Sequence, residues 1–318
     1  MRDIYIASRV KDGGVYHCRL SEAGQLRIVK QYAVESPAYL CREGDTLYAM
    51  LREPFLLESG LVSFRIREDG SLEQSSGIES LHGTITAHIF ARDGIVWSAN
   101  YINGTVTRMP DRIIAFNGHG ARPGAQDSSH PHCITPTPDG KYLCVTDLGT
   151  DRVYIITPEL ERISETKLPD GCGPRHLIFS PDGRFGYCST EFGSTVCVLA
   201  YSDGALRLLC EYPTVPAGFD GVSTAAAIRL SEDGRRLYVS NRGHDSVCVF
   251  DVDGCKLRCV GYVPSFGHFP REMNLAGDYL LCGNELSDTV TVFSLKDGLP
   301  QSPVCSLDIA MPWGILVR

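Results

Sequence analysis

The segment "GPRHLIFSPDGRFGYCSTEFGSTVCV" (173–198) reads as two strands joined by a tight turn, with a third strand following. "SPDG" (180–183) is turn chemistry: Asp folds back on its own backbone and Gly accepts a left-handed conformation. The flanks alternate and are rich in β-branched and aromatic residues, as strands are. The same pattern recurs as "TPDGKYLCVTDLGTDRVYI" (137–155), "SEDGRRLYVSNRGHDSVCV" (231–249) and "LAGDYLLCGNELSDTVTVF" (275–293). Looser copies occupy 42–64 and 91–109. The turn aspartates Asp45, Asp93, Asp139, Asp182, Asp233 and Asp278 lie 48, 46, 43, 51 and 45 residues apart. A period of about 40–50 residues built from short strands signals propeller blades.

Each repeat is expected to hold four strands, A to D, with the Asp-Gly turn between A and B. No segment carries a convincing helical period. The chain begins in strands B and C ("DIYIAS", "GVYHCRL") without a strand A, and it ends in "MPWGILVR", an isolated strand A. Joining the two ends gives an all-β, seven-bladed propeller of four-stranded antiparallel blades, closed by the C-terminal strand. Closure completes the first blade, so that only short, protected sheet edges remain. Residues 1–318 are then expected to form a single domain.

Composition narrows the function classes. Of the 318 residues 43 % are hydrophobic and 21 % charged, an ordinary globular balance. A net charge of −8 argues against general nucleic-acid binding. No apolar run approaches the roughly 18 residues of a membrane span. Thirteen cysteines without C-x-x-C spacing, and a start lacking a secretory h-region, predict reduced thiols, mostly core, in a cytoplasmic protein.

The repeats differ where strand A begins. Seven residues before each turn aspartate stand Ala38, Thr86, His132, Arg175, Ala226 and Arg271, and Trp313 takes this place in the closing strand. Five of these follow a proline, which suits an extended strand start. The ends of strand B vary too: Asn100-Tyr101, Asp147-Leu148, Thr190-Glu191, Asn241-Arg242 and Asn284-Glu285. Both places lie opposite the turn, so all converge on one mouth of the central channel, where a few polar groups can form a site. Blades 4 to 6 are richest, with "HPH" (130–132), "PRH" (174–176), Glu191 and "NRGHD" (241–245).

On these motifs the chain resembles the lactonase family of seven-bladed propellers, which includes bacterial 6-phosphogluconolactonases and fungal carboxymuconate cyclase. The resemblance implies a catalytic group of His132, Arg175, Glu191 and Arg242. Substrate contacts are expected from His130, His176, Asn241, His244, Arg271, Glu285 and Asn100. Arg122 and Gln126 stand loosely where the family often has an Arg-Gln pair, while 105–129 is shorter and less regular than expected for blade 3 and its exit.

The implied chemistry is water attack on a sugar lactone, most directly 6-phosphogluconolactone. Glu191 or His132 would serve as base and the arginines would stabilise the oxyanion or hold an anion. The same residues suit a carboxymuconate cycloisomerase. A non-catalytic binding platform is a third reading, and Arg175 with Glu191 could also be a structural ion pair. The expected partner is an anionic small molecule, with no nucleic acid and no membrane, for a monomer or weak dimer. His130 and His132 have no third ligand at metal-site spacing, so neither a metal nor another cofactor is expected. Asp147, Asp151 and Asp245 are expected to cap loops.

Overall fold

The computed structural model describes residues 1–318 and consists of strands without a helix. Seven antiparallel sheets form the blades. Blade 5 shows the pattern: A (Pro174–Phe179), B (Phe185–Thr190), C (Thr195–Ser202) and D (Ala205–Pro213). The turn between A and B is built as its residues dictate. Asp182 Oδ1 accepts bonds from Ser180 Oγ at 2.6 Å and Arg184 N at 3.1 Å, and Gly183 takes φ +72°. Asp233 repeats this arrangement in blade 6 with Ser231 and Arg235.

The ends close the ring. Pro312–Val317 pairs antiparallel with Arg2–Ser8, Ile4 facing Val317 and Ile6 facing Ile315. Blade 1 thus takes its strand A from the C-terminus. Seven buried apolar clusters fill the seven junctions between neighbouring blades. Blades buried on both faces read as near-continuous apolar runs such as "YVS" and "SVCVF". Cys188, Cys197, Cys248 and Cys282 lie in these junctions, and all thirteen cysteines are free. Cys here acts as a small core hydrophobe.

Blade 2 departs most from the repeat. Its strands B and C (Thr46–Phe55 and Glu58–Ile66) project as a longer hairpin, and Glu79–Thr84 adds a fifth strand. Blade 3 has the short outer strands Thr105–Arg108 and Arg112–Ala115, consistent with the irregular sequence there.

Candidate active site

The start of strand A is not a regular strand. In blade 5 Pro174 faces Thr190 and His176 faces Ser189, so Arg175 has no partner and forms a bulge. The same shift isolates Ala38, His132, Arg271 and Trp313 in blades 2, 4, 7 and 1. A bulge re-aims side chains, and here two consecutive residues reach the channel where a straight strand would send them to opposite faces. Neighbouring blades satisfy the freed carbonyls: Thr146 Oγ1 donates to Arg175 O at 2.7 Å, and Ser189 Oγ to Ala226 O at 3.0 Å.

These bulges surround a cavity of about 310 Å³ whose charged lining is Arg52, Arg175, Arg242, Arg271, Glu191 and Glu272. Glu191 bridges two of the arginines. Its Oε2 accepts from Arg175 Nε at 3.0 Å and lies 2.9 Å from Arg242 Nη2. Arg175 is 3 % exposed and Arg242 5 %. Burial alone would push the Glu191 pKa up, but Arg242, Arg175 and Arg271 outweigh it and hold it below the ordinary carboxylate value. The pair shares its anion in a poorly solvated place, where charge interactions are strong.

His132 and His176 pack with ring centroids 5.3 Å apart, and His88 lies 5.8 Å from His176. Burial, then Arg175, Arg271 and Arg242, hold His132 well below the usual imidazole value. Burial and Arg175 do the same to His176, while burial and Arg229 bring His88 to about 3. All three are neutral rings at neutral pH. His132 Nδ1 is buried without a protein partner. Deeper in the channel, Glu272 is held by Arg229 Nη2 at 2.5 Å.

Of the residues expected from sequence, His132, Arg175, His176, Glu191, Arg242 and Arg271 line this cavity. Glu285 lies just behind it, 3.6 Å from Arg271. The others are placed elsewhere. His130 stacks on Tyr101 and bonds its carbonyl at 2.8 Å. His244 bonds Ser246 and packs against Phe219 and Tyr262. Asn100 bonds Thr86, Thr105 and Thr107, and Asn241 bonds Thr214, so both tie strands together. His130 and His132 do not converge, and no group of three or more His, Cys, Asp or Glu has metal-holding geometry.

Arg52, Tyr39 and Glu272 were not singled out from sequence, yet all line the cavity. Arg52 stands seven residues after Asp45, as Glu285 stands seven after Asp278. Strand register shows the equivalence, since Leu51 faces Pro37 as Thr190 faces Pro174 and Asn284 faces Pro270; the long blade 2 hairpin hides it when strands C are aligned.

The loop aspartates cap, as expected. Asp147 accepts from Ser129 Oγ and His130 N at 2.6 and 2.7 Å. Asp245 accepts from Gly243 N and Phe269 N. Asp151 accepts from Gly171 N and Gly173 N, both at 2.8 Å, and from Gln126 Nε2 at 2.7 Å, fixing the loop that leads to Arg175. Arg122 pins the same loop through Gly171 O at 2.7 Å. Asp151→Ala strands these buried donors, and a loss of about 2–4 kcal/mol in urea unfolding is expected; a change under about 0.5 kcal/mol, the range of neutral surface substitutions, would show the loop to be held otherwise.

Known proteins share this fold. The family model described as lactonase, 7-bladed beta-propeller, matches residues 3–308. An uncharacterized protein of Staphylococcus epidermidis is 36 % identical over 95 % of this chain and 98 % of its own. The structure of the periplasmic gluconolactonase of Pseudomonas aeruginosa matches with a TM-score of 0.91 at 28 % identity, covering 99 % of this chain and 98 % of its own. A Bacteroides fragilis protein described as a candidate 6-phosphogluconolactonase matches with a TM-score of 0.90 at 27 % identity, covering 100 % and 98 %.

Proposed function

Because this chain belongs to the lactonase family of seven-bladed β-propellers, we propose that it hydrolyses a sugar lactone, 6-phosphogluconolactone, to 6-phosphogluconate with protein groups alone. The observation that carries this reading is the Glu191 carboxylate shared by two buried arginines, beside the neutral His132, in one cavity.

The lactone carbonyl oxygen takes its place beside Arg175 and Arg242. His132, an uncharged imidazole, orients the water. Water oxygen bonds to the carbonyl carbon as Glu191 takes its proton, and the carbonyl π electrons move to oxygen. The negative charge therefore passes from Glu191 to the oxyanion without leaving the two guanidiniums, and no extra charge is created in the cavity. Proton uptake by His132 would instead add a cation beside Arg175, Arg271 and Arg242. Fixed charge of this kind supplies much of the stabilisation of an oxyanion. Collapse breaks the bond from the carbonyl carbon to the ring oxygen, and Glu191 returns the proton to that oxygen. The product is a hydroxy acid, which then ionises.

The reading is tested by following loss of 6-phosphogluconolactone against its spontaneous opening. Catalysed loss proportional to protein concentration is expected. A rate equal to the spontaneous one across protein concentrations would overturn it.

A further inference from the structure

The counter-charges of the cavity are unevenly shared. Glu191 serves Arg175 and Arg242, and Glu272 is taken by Arg229. Arg52 and Arg271 also line the cavity, but neither is hydrogen-bonded to a carboxylate. Arg271 meets Glu285 at 3.6 Å, too far for a hydrogen bond. Arg52 gives one Nη1 bond to the Thr86 carbonyl at 3.1 Å, and its Nε has no acceptor.

What holds these cations is an indole. The Arg271 guanidinium carbon lies 3.6 Å from the Trp313 ring centroid and that of Arg9 lies 4.1 Å away. Arg52 lies 5.5 Å from the same ring. Stacking fixes a guanidinium plane while leaving its edge donors free, an arrangement lysine cannot make. Burial, with Arg175 and Arg242 next in weight, lowers the Arg271 pKa to about 9. Burial and Arg9 lower Arg52 to about 10. Glu285 offsets this only in part for both.

We propose that Arg52 and Arg271, held against Trp313, form a second anion subsite that takes a phosphoryl group carried by the substrate away from its lactone carbonyl. Two guanidiniums whose donors are not hydrogen-bonded to any carboxylate match a dianion better than a single carboxylate, and a phosphate ester is close to doubly charged at neutral pH. Trp313 is a positioning residue. The proposal rests on the lactonase reading for the identity of the substrate, but not for the anion it binds.

Calorimetric titration of the whole chain with 6-phosphogluconate, gluconate and glucarate tests it, with the kcat/KM ratio for phosphorylated over plain gluconolactone measured alongside. The phosphorylated acid should bind about 10- to 100-fold more tightly than gluconate, as one or two charge-assisted hydrogen bonds imply. Arg271→Ala and, independently, Arg52→Gln should each remove most of that preference and lower the kcat/KM ratio, with circular dichroism unchanged. Arg271→Lys should restore only part. Glucarate binding more tightly than 6-phosphogluconate, or a phosphate preference that survives in both folded variants, would overturn the subsite. If neither lactone is opened yet the Arg271-dependent preference is present, the subsite stands and the lactonase reading falls. If both lactones are opened without preference, the reverse holds.

Discussion

Glu191→Gln is expected to lower kcat for lactone opening by about 10²- to 10⁴-fold, the range for loss of a positioned general base. The amide is nearly isosteric and can still accept from Arg175, but it takes no proton from water. The substitution also removes the one anion shared by two guanidiniums that are 3 % and 5 % exposed. Breaking a buried charge pair costs about 3–5 kcal/mol, and the remaining amide oxygen should keep the loss near the lower end. Steady-state kinetics and urea unfolding of the same variant separate the two effects. KM should change far less than kcat, since the arginines remain. Turnover within a few-fold of the unaltered protein would contradict the role of Glu191 and move proton acceptance to His132.

The second large effect is on stability in acid. His88, His132 and His176 are neutral in the fold, with pKa values lowered by burial first and neighbouring arginines next. Unfolded, they regain an ordinary value of about 6.5. Their contribution is therefore complete above that value and is lost as pH falls from it towards their folded values, about 3 for His88. Between these limits the unfolded chain holds up to three more protons, so stability falls by at most about 4 kcal/mol per pH unit. Glu191, also depressed, adds a loss of the same sign only at lower pH, while Asp147, raised by burial, opposes it. Typical stabilities of about 5–15 kcal/mol would be consumed within a few pH units. Urea unfolding at pH 7, 6 and 5 should show the decline, and each His→Gln substitution should reduce its slope by about a third. A stability independent of pH from 7 to 5 would contradict neutral burial of these rings.

Much of this arrangement was legible in the sequence because a propeller repeats. The turn aspartates located six blades, and the isolated strand at 312–317 revealed the seventh and how the ring closes. The residue after each strand-A proline was correctly sought at the channel. The backbone bulge was not legible, because strand periodicity puts adjacent residues on opposite faces. It brings Tyr39, His176 and Glu272 to the cavity beside Ala38, Arg175 and Arg271.

The asparagines teach the converse lesson. Asn100 and Asn284 occupy the same place at the end of strand B, and each donates to two threonines of strand C. Asn241 likewise reaches Thr214 and Ser246. A polar residue that recurs from blade to blade braces the blade, because an amide can satisfy several buried hydroxyls at once. The residue beside it, Tyr101, Glu191, Arg242 or Glu285, is the one that varies. Arg52 belongs to that varied set, and the extended blade 2 hairpin removed it from view.

A crystal structure with 6-phosphogluconate bound tests the central claim most directly. The carboxylate left by ring opening should lie within hydrogen-bond distance of Arg175 and Arg242, with Glu191 beside it and the phosphoryl group on Arg52 and Arg271. A product bound outside this cavity, or inside it with its carboxylate away from Arg175 and Arg242, would contradict the account.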